Sequence, residues 1–435
     1  MSDSPRSLPA GWLAVSVFSS RGLKVGIFAF VSLSLVCFAA FYNPTVFRRP
    51  VSPSSYSPWN INSTQLAGEN ENLTQNHTPA AFSKTSLTKP SNLKIVAVIF
   101  YGRPDRVEIL DCYLKRNLAV NGGWVDEVYW APNTKSQDDL DWLDKLVPTS
   151  SQYKKLPIDT QKEGYARIWD NAITEPDTLY IKIDDDIVYI DDNAIPKMVS
   201  LKLEQDHSFV VSANVVNGAP LSYHHFRTGA IRPYLPEMIK PNSTDDGNVT
   251  SVQTPPWRAS QLPSWEGPSD FEFPLGVGTS PYPNHRWLPL RDGNRSSIYR
   301  TPIQHAPCSP WGETYGKWSL AAQQHFSFFE SLEKNETDVY DFARSGIWDM
   351  GFERISINFI AIWGRDVIDH LPLNDDEAML TKSIPRQLSR PVLVATGALA
   401  SHYSFTSQVN DLRETDILSR YRAYANELIC PGTLF

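Results

Sequence analysis

From Leu93 onward the apolar positions of this chain switch repeatedly between two spacings. The run KIVAVIF, residues 94–100, is rich in β-branched residues and has the length of a buried strand; the turn formers from Tyr101 to Asp105 follow it. Next, RVEILDCYLKRNLA sets Val107, Leu110, Leu114 and Leu118 on one helical face. VDEVYWAP predicts a second strand, and SQDDLDWLDKLV a second helix, with Ser136 as its cap and aspartates in its first turn. A short strand at Tyr153 to Ile158, a helix around Gly164 to Ala172 and the strand TLYIKI continue the pattern. Strands alternating with helices predict a parallel sheet covered on both faces, with ligands bound at the carboxyl ends of its strands.

Two later regions read differently. Between about Arg232 and Pro310 prolines become dense, Trp257, Trp265 and Trp287 punctuate the segment, and periodicity lapses over a length no ordinary loop reaches. This predicts an irregular insertion. The stretch from Asp349 to His370 has a Phe/Ile/Trp face suited to a helix or a helix followed by a strand, and RPVLVATGAL with SHYSF predicts a last strand and its exit.

Ahead of this domain lies Val25 to Tyr42, about 18 residues without a charge, near the minimum for a helix spanning a bilayer. It starts late for a signal peptide, is long for an h-region and lacks a clean cleavage site, so an uncleaved anchor is expected. Basic residues on both sides, Arg21 and Lys24 against Arg48 and Arg49, leave its orientation to other signals. Every N-x-S/T sequon, at Asn62, Asn72, Asn76, Asn242, Asn248, Asn294 and Asn335, falls beyond the span, which favours a cytosolic N-terminus and a lumenal body. The expected division is a cytosolic tail at 1–24, an anchor at 25–42, a stem rich in Pro, Ser, Thr and Asn at 43–92, and a lumenal domain at 93–435. Within that domain the divisions fall at 93–231, 232–310 and 311–435. This is the layout of a single-pass type II protein of the Golgi or ER membrane.

A net charge of −8 over 435 residues, with no basic arm, gives no reason to expect nucleic acid as a partner. Cys37 lies in the apolar run. Cys112, Cys308 and Cys430 remain, allowing one disulfide whose pairing spacing does not choose. No C-x-x-C is present, which argues against structural zinc.

The chemistry concentrates at Asp184, Asp185 and Asp186, directly after the apolar strand Leu179 to Ile183. Three adjacent carboxylates repel one another, and a hard divalent cation, Mn²⁺ or Mg²⁺, would offset them. Strand alternation projects Asp184 and Asp186 together and Asp185 away. Relief of repulsion then predicts that Asn at either of the paired positions leaves stability unchanged or improved. An EF-hand is excluded, since the loop lacks Gly at its sixth position and Glu at its twelfth.

The segment from Lys94 to about Ile190, ending in YIKIDDDIVYID, resembles the nucleotide-sugar-binding half of GT-A-fold glycosyltransferases, in particular uncharacterised fungal type II membrane members. The resemblance implies a Rossmann-type mixed α/β sheet flanked by helices, carrying the Pro/Trp-rich insertion. It implies a hexosyltransferase that moves a sugar from a nucleotide-sugar donor to a glycan, glycoprotein or glycolipid acceptor. Asp184 and Asp186 would act at the metal, Asp184 and Asp185 at the donor, and the turn carrying Tyr101, Arg103 and Arg106 near the nucleotide. The insertion could close over a substrate, its tryptophans either stacking on sugar rings or anchoring it to the core.

Such enzymes also use an acceptor-side carboxylate and often a late metal ligand. Asp375, Asp376 and Glu377 are the candidates for a general base, against the competing role of Asn374 or Asp375 as cap of the helix EAMLTKSI; His402 is the candidate ligand. Two other functions fit some of the same residues. Asp184-Asp185-Asp186-Ile187-Val188 also matches the nucleophile motif of haloacid-dehalogenase-type phosphoryl hydrolases, although that family opens its domain with this strand. A non-catalytic lumenal lectin-like protein would suit the tryptophans.

Overall fold

A computed structural model describes residues 87–158, 165–241, 256–274, 280–292, 295–306 and 313–431. The expected membrane span, Cys308 and every sequon except Asn335 lie outside these residues. Among those described, no helix is long and apolar enough to cross a membrane.

The first half follows the apolar pattern closely: β1 (Ile95–Tyr101), α1 (Pro104–Asn117), β2 (Glu127–Pro132), α2 (Gln137–Leu146), β3 (Tyr153–Lys155), α3 (Tyr165–Ala172) and β4 (Leu179–Asp184). Ser136 caps α2, its hydroxyl accepting from the Asp139 N–H at 3.3 Å, an interaction typically worth ~1 kcal/mol. Then come β5 (Ile187–Ile190), α4 (Ala194–Glu204), β6 (Val210–Val216) and α5 (Leu221–Thr228), followed by β7 (Tyr234–Pro236), β8 (Trp287–Pro289), α6 (Trp318–Glu333), β9 (Ile347–Asp349), β10 (Phe359–Trp363) and β11 (Val392–His402).

The main sheet runs β3–β2–β1–β4–β10–β6–β11–β5, with β9 also on β11. Strands β3, β2, β1 and β4 are parallel, as are β6 and β11. β10 lies antiparallel between β4 and β6. The sheet is therefore mixed, the Rossmann-type α/β arrangement the resemblance implied, rather than the all-parallel one predicted by alternation alone. The helix, or helix followed by a strand, expected over Asp349 to His370 is instead the strand β10 followed by a short helix, Gly364–Ile368. Phe359 to Ile362 are buried on both faces of the sheet, so they form a continuous apolar run that periodicity does not separate from a helix.

Region 232–310 is not structureless, because β7 and β8 pair antiparallel within it. Its tryptophans anchor it. Trp287 is fully buried with its ring centroid 5.9 Å from that of Trp318. Trp257 Nε1 donates to Glu427 at 2.8 Å, and Trp265 Nε1 donates to the Pro236 carbonyl at 3.1 Å. Trp257 and Trp287 are buried and Trp265 packs on Phe271, which is the anchoring role, the second of the two expected for them. Cys112 on α1 and Cys430 near the C-terminus form a disulfide with Cα atoms 5.7 Å apart.

Candidate metal centre

The carboxyl ends of β1, β4 and β11 converge on one edge of the sheet. Asp184 is the last residue of β4, Asp185 and Asp186 form the turn into β5, and β5 pairs antiparallel with the end of β11. A register shift at Ser401/His402 and the hydrogen bond from the Tyr403 N–H to the Asp186 carbonyl, 2.8 Å, seat His402 beside the triplet. One oxygen or nitrogen each from Asp184, Asp186 and His402 lie within 4.8 Å of one another. Asp186 Oδ1 is buried and accepts no hydrogen bond of good geometry, with His402 Nε2 3.2 Å away. On the far side of the ring, Nδ1 lies 3.4 Å from the Asn217 carbonyl, an orientation that turns Nε2 toward the carboxylate. Two carboxylates and an imidazole, with one buried oxygen lacking a donor, fit a divalent cation.

Asp185 does not point away. It is 2% exposed, accepts from the Gly102 N–H at 2.7 Å and from Arg103 Nε at 2.8 Å, and ties the β1–α1 turn to the triplet. Asp184 and Asp186 do come together as alternation expects, while the turn at 185–186 brings Asp185 to the same cavity. Burial and the flanking carboxylates push Asp185 up to about 6, against the pull of Arg103. Burial acts the same way on Asp186, but His402, Arg103 and Arg106 outweigh it and hold that carboxyl well below the usual range.

The remaining sequence candidates divide. Arg103 Nη1 lies 3.0 Å and Arg106 Nη1 3.4 Å from Asp186 Oδ2, and the buried Arg106 guanidinium lies 4.7 Å from the Tyr403 ring centroid. Tyr101 is buried elsewhere, stacked on Trp142 with centroids 6.2 Å apart, its hydroxyl donating to the Asp139 carbonyl. Asp375 caps the helix Asp376–Ala378, accepting from the Ala378 N–H at 3.1 Å, and both Asp375 and Glu377 pair with Arg354. Asp376 instead accepts from Trp169 Nε1 at 2.8 Å and from the Glu377 N–H at 2.9 Å.

A cavity of about 420 Å³ is lined by Arg103, Lys182 and the triplet together with Asp376, Glu377, His402 and Ser404. Sequence reading missed Lys182, whose Nζ pairs with Asp184 two residues along the same strand face. A lysine inside the apolar run LYIKI was the available signal. Arg354 and Trp169 carried no such signal, since both act across distant segments. A second cavity, about 560 Å³, is lined by the disulfide and by charged residues that pair with one another, Lys115 with Asp111 at 2.7 Å and Arg116 with Asp192 at 2.6 Å.

No family model and no curated protein matches this chain. Solved structures do. GalNAc-T7 with UDP, GalNAc and Mn²⁺ is similar over 73% of this chain and 44% of its own, at 10% identity and TM-score 0.36. The 4-diphosphocytidyl-2C-methyl-D-erythritol synthase from Anaerococcus prevotii DSM 20548 is similar over 28% of this chain and 56% of its own, at 14% identity and TM-score 0.21. CMP:2-keto-3-deoxy-manno-octonic acid synthetase complexed with CTP is similar over 34% and 60%, at 14% identity and TM-score 0.21. The chain thus spans between 44% and 60% of the length of these structures. At this degree of likeness no activity or substrate transfers to it.

Proposed function

We propose that this chain is a metal-dependent glycosyltransferase that takes a sugar from a nucleotide-sugar donor and passes it to a glycan or glycoconjugate acceptor. The observation that carries this reading is the set Asp184, Asp186 and His402, with ligand atoms within 4.8 Å, beside a cavity of about 420 Å³ that also holds Asp376. Asp184, Asp186 and His402 would hold Mn²⁺ or Mg²⁺. When bound, such a cation stabilises the negative charge gathering on the departing diphosphate.

The chain's own residues supply the rest. Asp185 holds Arg103 and the Gly102 N–H against the triplet, fixing the β1–α1 turn where the nucleotide would bind. Asp376 is the base in this reading. Trp169 and the Glu377 N–H orient its carboxylate, whereas Asp375 and Glu377 are engaged by Arg354, so Asp376 is the member of the acidic group suited to accept the acceptor's hydroxyl proton. The disulfide and the exposed sequon at Asn335 suit an oxidising, glycosylating compartment. They support a type II Golgi or ER protein with residues 1–24 cytosolic, 25–42 in the membrane and 43–92 as a stem.

The test is donor hydrolysis and transfer by the full chain, purified from a eukaryotic host, against a panel of UDP- and GDP-sugars with Mn²⁺ or with chelator. Metal-dependent release of nucleoside diphosphate from one donor supports the reading. Release from none, or release unaffected by chelator, overturns it.

A further inference from the structure

The acidic triplet is already matched by cations of the chain. Lys182 pairs with Asp184, Arg103 with Asp185, and Asp186 has Arg103 Nη1 at 3.0 Å and Arg106 Nη1 at 3.4 Å. Three carboxylates thus face three basic side chains, and the cluster presents far less negative charge to an incoming cation than the sequence DDD suggests. Lys182 differs from the two arginines. It is 3% exposed, sits on a central strand, and its Nζ lies 4.8 Å from the Phe100 ring centroid. Phe100, Lys182 and Asp184 all line the cavity. A buried ammonium leaving Asp184 requires another anion, and the cavity is the side from which one can arrive.

We propose that Lys182 is an exchangeable counter-cation: it neutralises Asp184 in the free protein and transfers to a phosphate oxygen of a bound nucleoside diphosphate, releasing Asp184 as a metal ligand. This rests on the metal-site reading above and adds a regulation to it. Metal and diphosphate become thermodynamically linked, each strengthening the binding of the other by the same factor. The device keeps the carboxylates of the free protein from holding a cation tightly, so the loaded site assembles only with donor present.

The experiment reads Mn²⁺ binding directly, by the loss of the free-ion electron paramagnetic resonance signal, with no turnover involved. Full-length wild type and Lys182→Met, which keeps the length and the packing on Phe100, are titrated with Mn²⁺ alone and with saturating UDP or GDP. Wild type is expected to bind Mn²⁺ on the order of 10- to 100-fold more tightly with the nucleotide that fits, the usual range of such couplings. Lys182→Met is expected to bind Mn²⁺ alone about 10-fold more tightly than wild type and to show a much smaller gain from nucleotide. Lys182→Gln, a polar replacement, is carried alongside as a second variant and is expected to behave in the same way. Unchanged affinity for Mn²⁺ alone in both variants, or an equal gain from nucleotide in variants and wild type, overturns the counter-cation role while leaving the metal site standing. Absence of Mn²⁺ binding by wild type under every condition overturns the metal site itself.

Discussion

The indole Nε1 of Trp169 donates to Oδ2 of Asp376 at 2.8 Å, across 207 residues of sequence, and so distinguishes this carboxylate from its two acidic neighbours. Asp375 and Glu377 are held by Arg354 at the surface, with side-chain exposures of 57% and 29%. Asp376→Asn preserves an acceptor for Trp169 while removing the proposed base. It should lower turnover by about 10²-fold or more with donor binding intact. Asp375→Ala should instead cost stability, ~1 kcal/mol for the lost cap, with turnover near wild type. Steady-state kinetics with thermal melts on both variants separate the roles; equal kinetic losses in the two would remove Asp376 from its assigned place.

Asp186 is a stability determinant as well as a ligand candidate. Carboxylate repulsion considered alone predicts a tolerant site, but Arg106 is buried and shares Asp186 with Arg103 and His402. Asp186→Asn should therefore destabilise the fold, by about 3 kcal/mol where a buried pair is broken, and abolish Mn²⁺ binding. Asp184→Asn, at a position 28% exposed, should lose the metal with a smaller change in melting temperature. Denaturant unfolding of both variants checks the order.

Glu330 on α6 gives a pH dependence remote from the site. Burial alone would raise its carboxyl, but Lys334, Tyr234 and Arg232 outweigh that and hold it below the ordinary glutamate value. A depressed folded-state value contributes stability that is fully present above the unfolded value, ~4.3, and lost as pH falls through the folded one. Glu330→Gln should thus melt at a lower temperature than wild type at pH 6, and the gap should close on acidification below pH ~4. A constant gap across that range would show that Glu330 acts through packing.

The Cys112–Cys430 disulfide closes nearly the whole folded domain into one loop. Its removal by Cys112→Ser should cost about 2–5 kcal/mol by denaturant unfolding and abolish the mobility difference between reduced and non-reduced gels. An unchanged midpoint would show that the bond is not formed in the purified protein.

Asn335 is exposed, just after the end of α6 and within the one sequon of the described residues. Expressed in a eukaryotic secretory host, the chain should shift on endoglycosidase treatment, and Asn335→Gln should remove one increment of that shift. A membrane-integrated protein that does not shift would place the domain on the cytosolic side.

Much of the scaffold was legible because local signals and tertiary fate agreed. The apolar runs of β1 and β4, the amphipathic helices between them and the Ser136 cap each follow from a window of a few residues. The acidic triplet stood out for the same reason. What stayed hidden depends on groups meeting across the chain. The antiparallel insertion of β10 leaves no trace in periodicity, Arg354 reaches the acidic group from a separate loop, and the tryptophans of the insertion found partners in Glu427 and Pro236 that spacing does not reveal. Asp185 misled because alternation holds along a strand and lapses at the turn that ends it.

The position of β11 in the sheet orders events during synthesis. β4 and β5 are made early, yet His402 ends the strand that must lodge between β6 and β5, so a growing chain carries Asp184 and Asp186 long before the imidazole that completes the group. Ribosomes that stall or terminate before that strand would release chains with the acidic turn and no third ligand. The group is in this sense closed only once β11 has emerged and taken its place in the sheet.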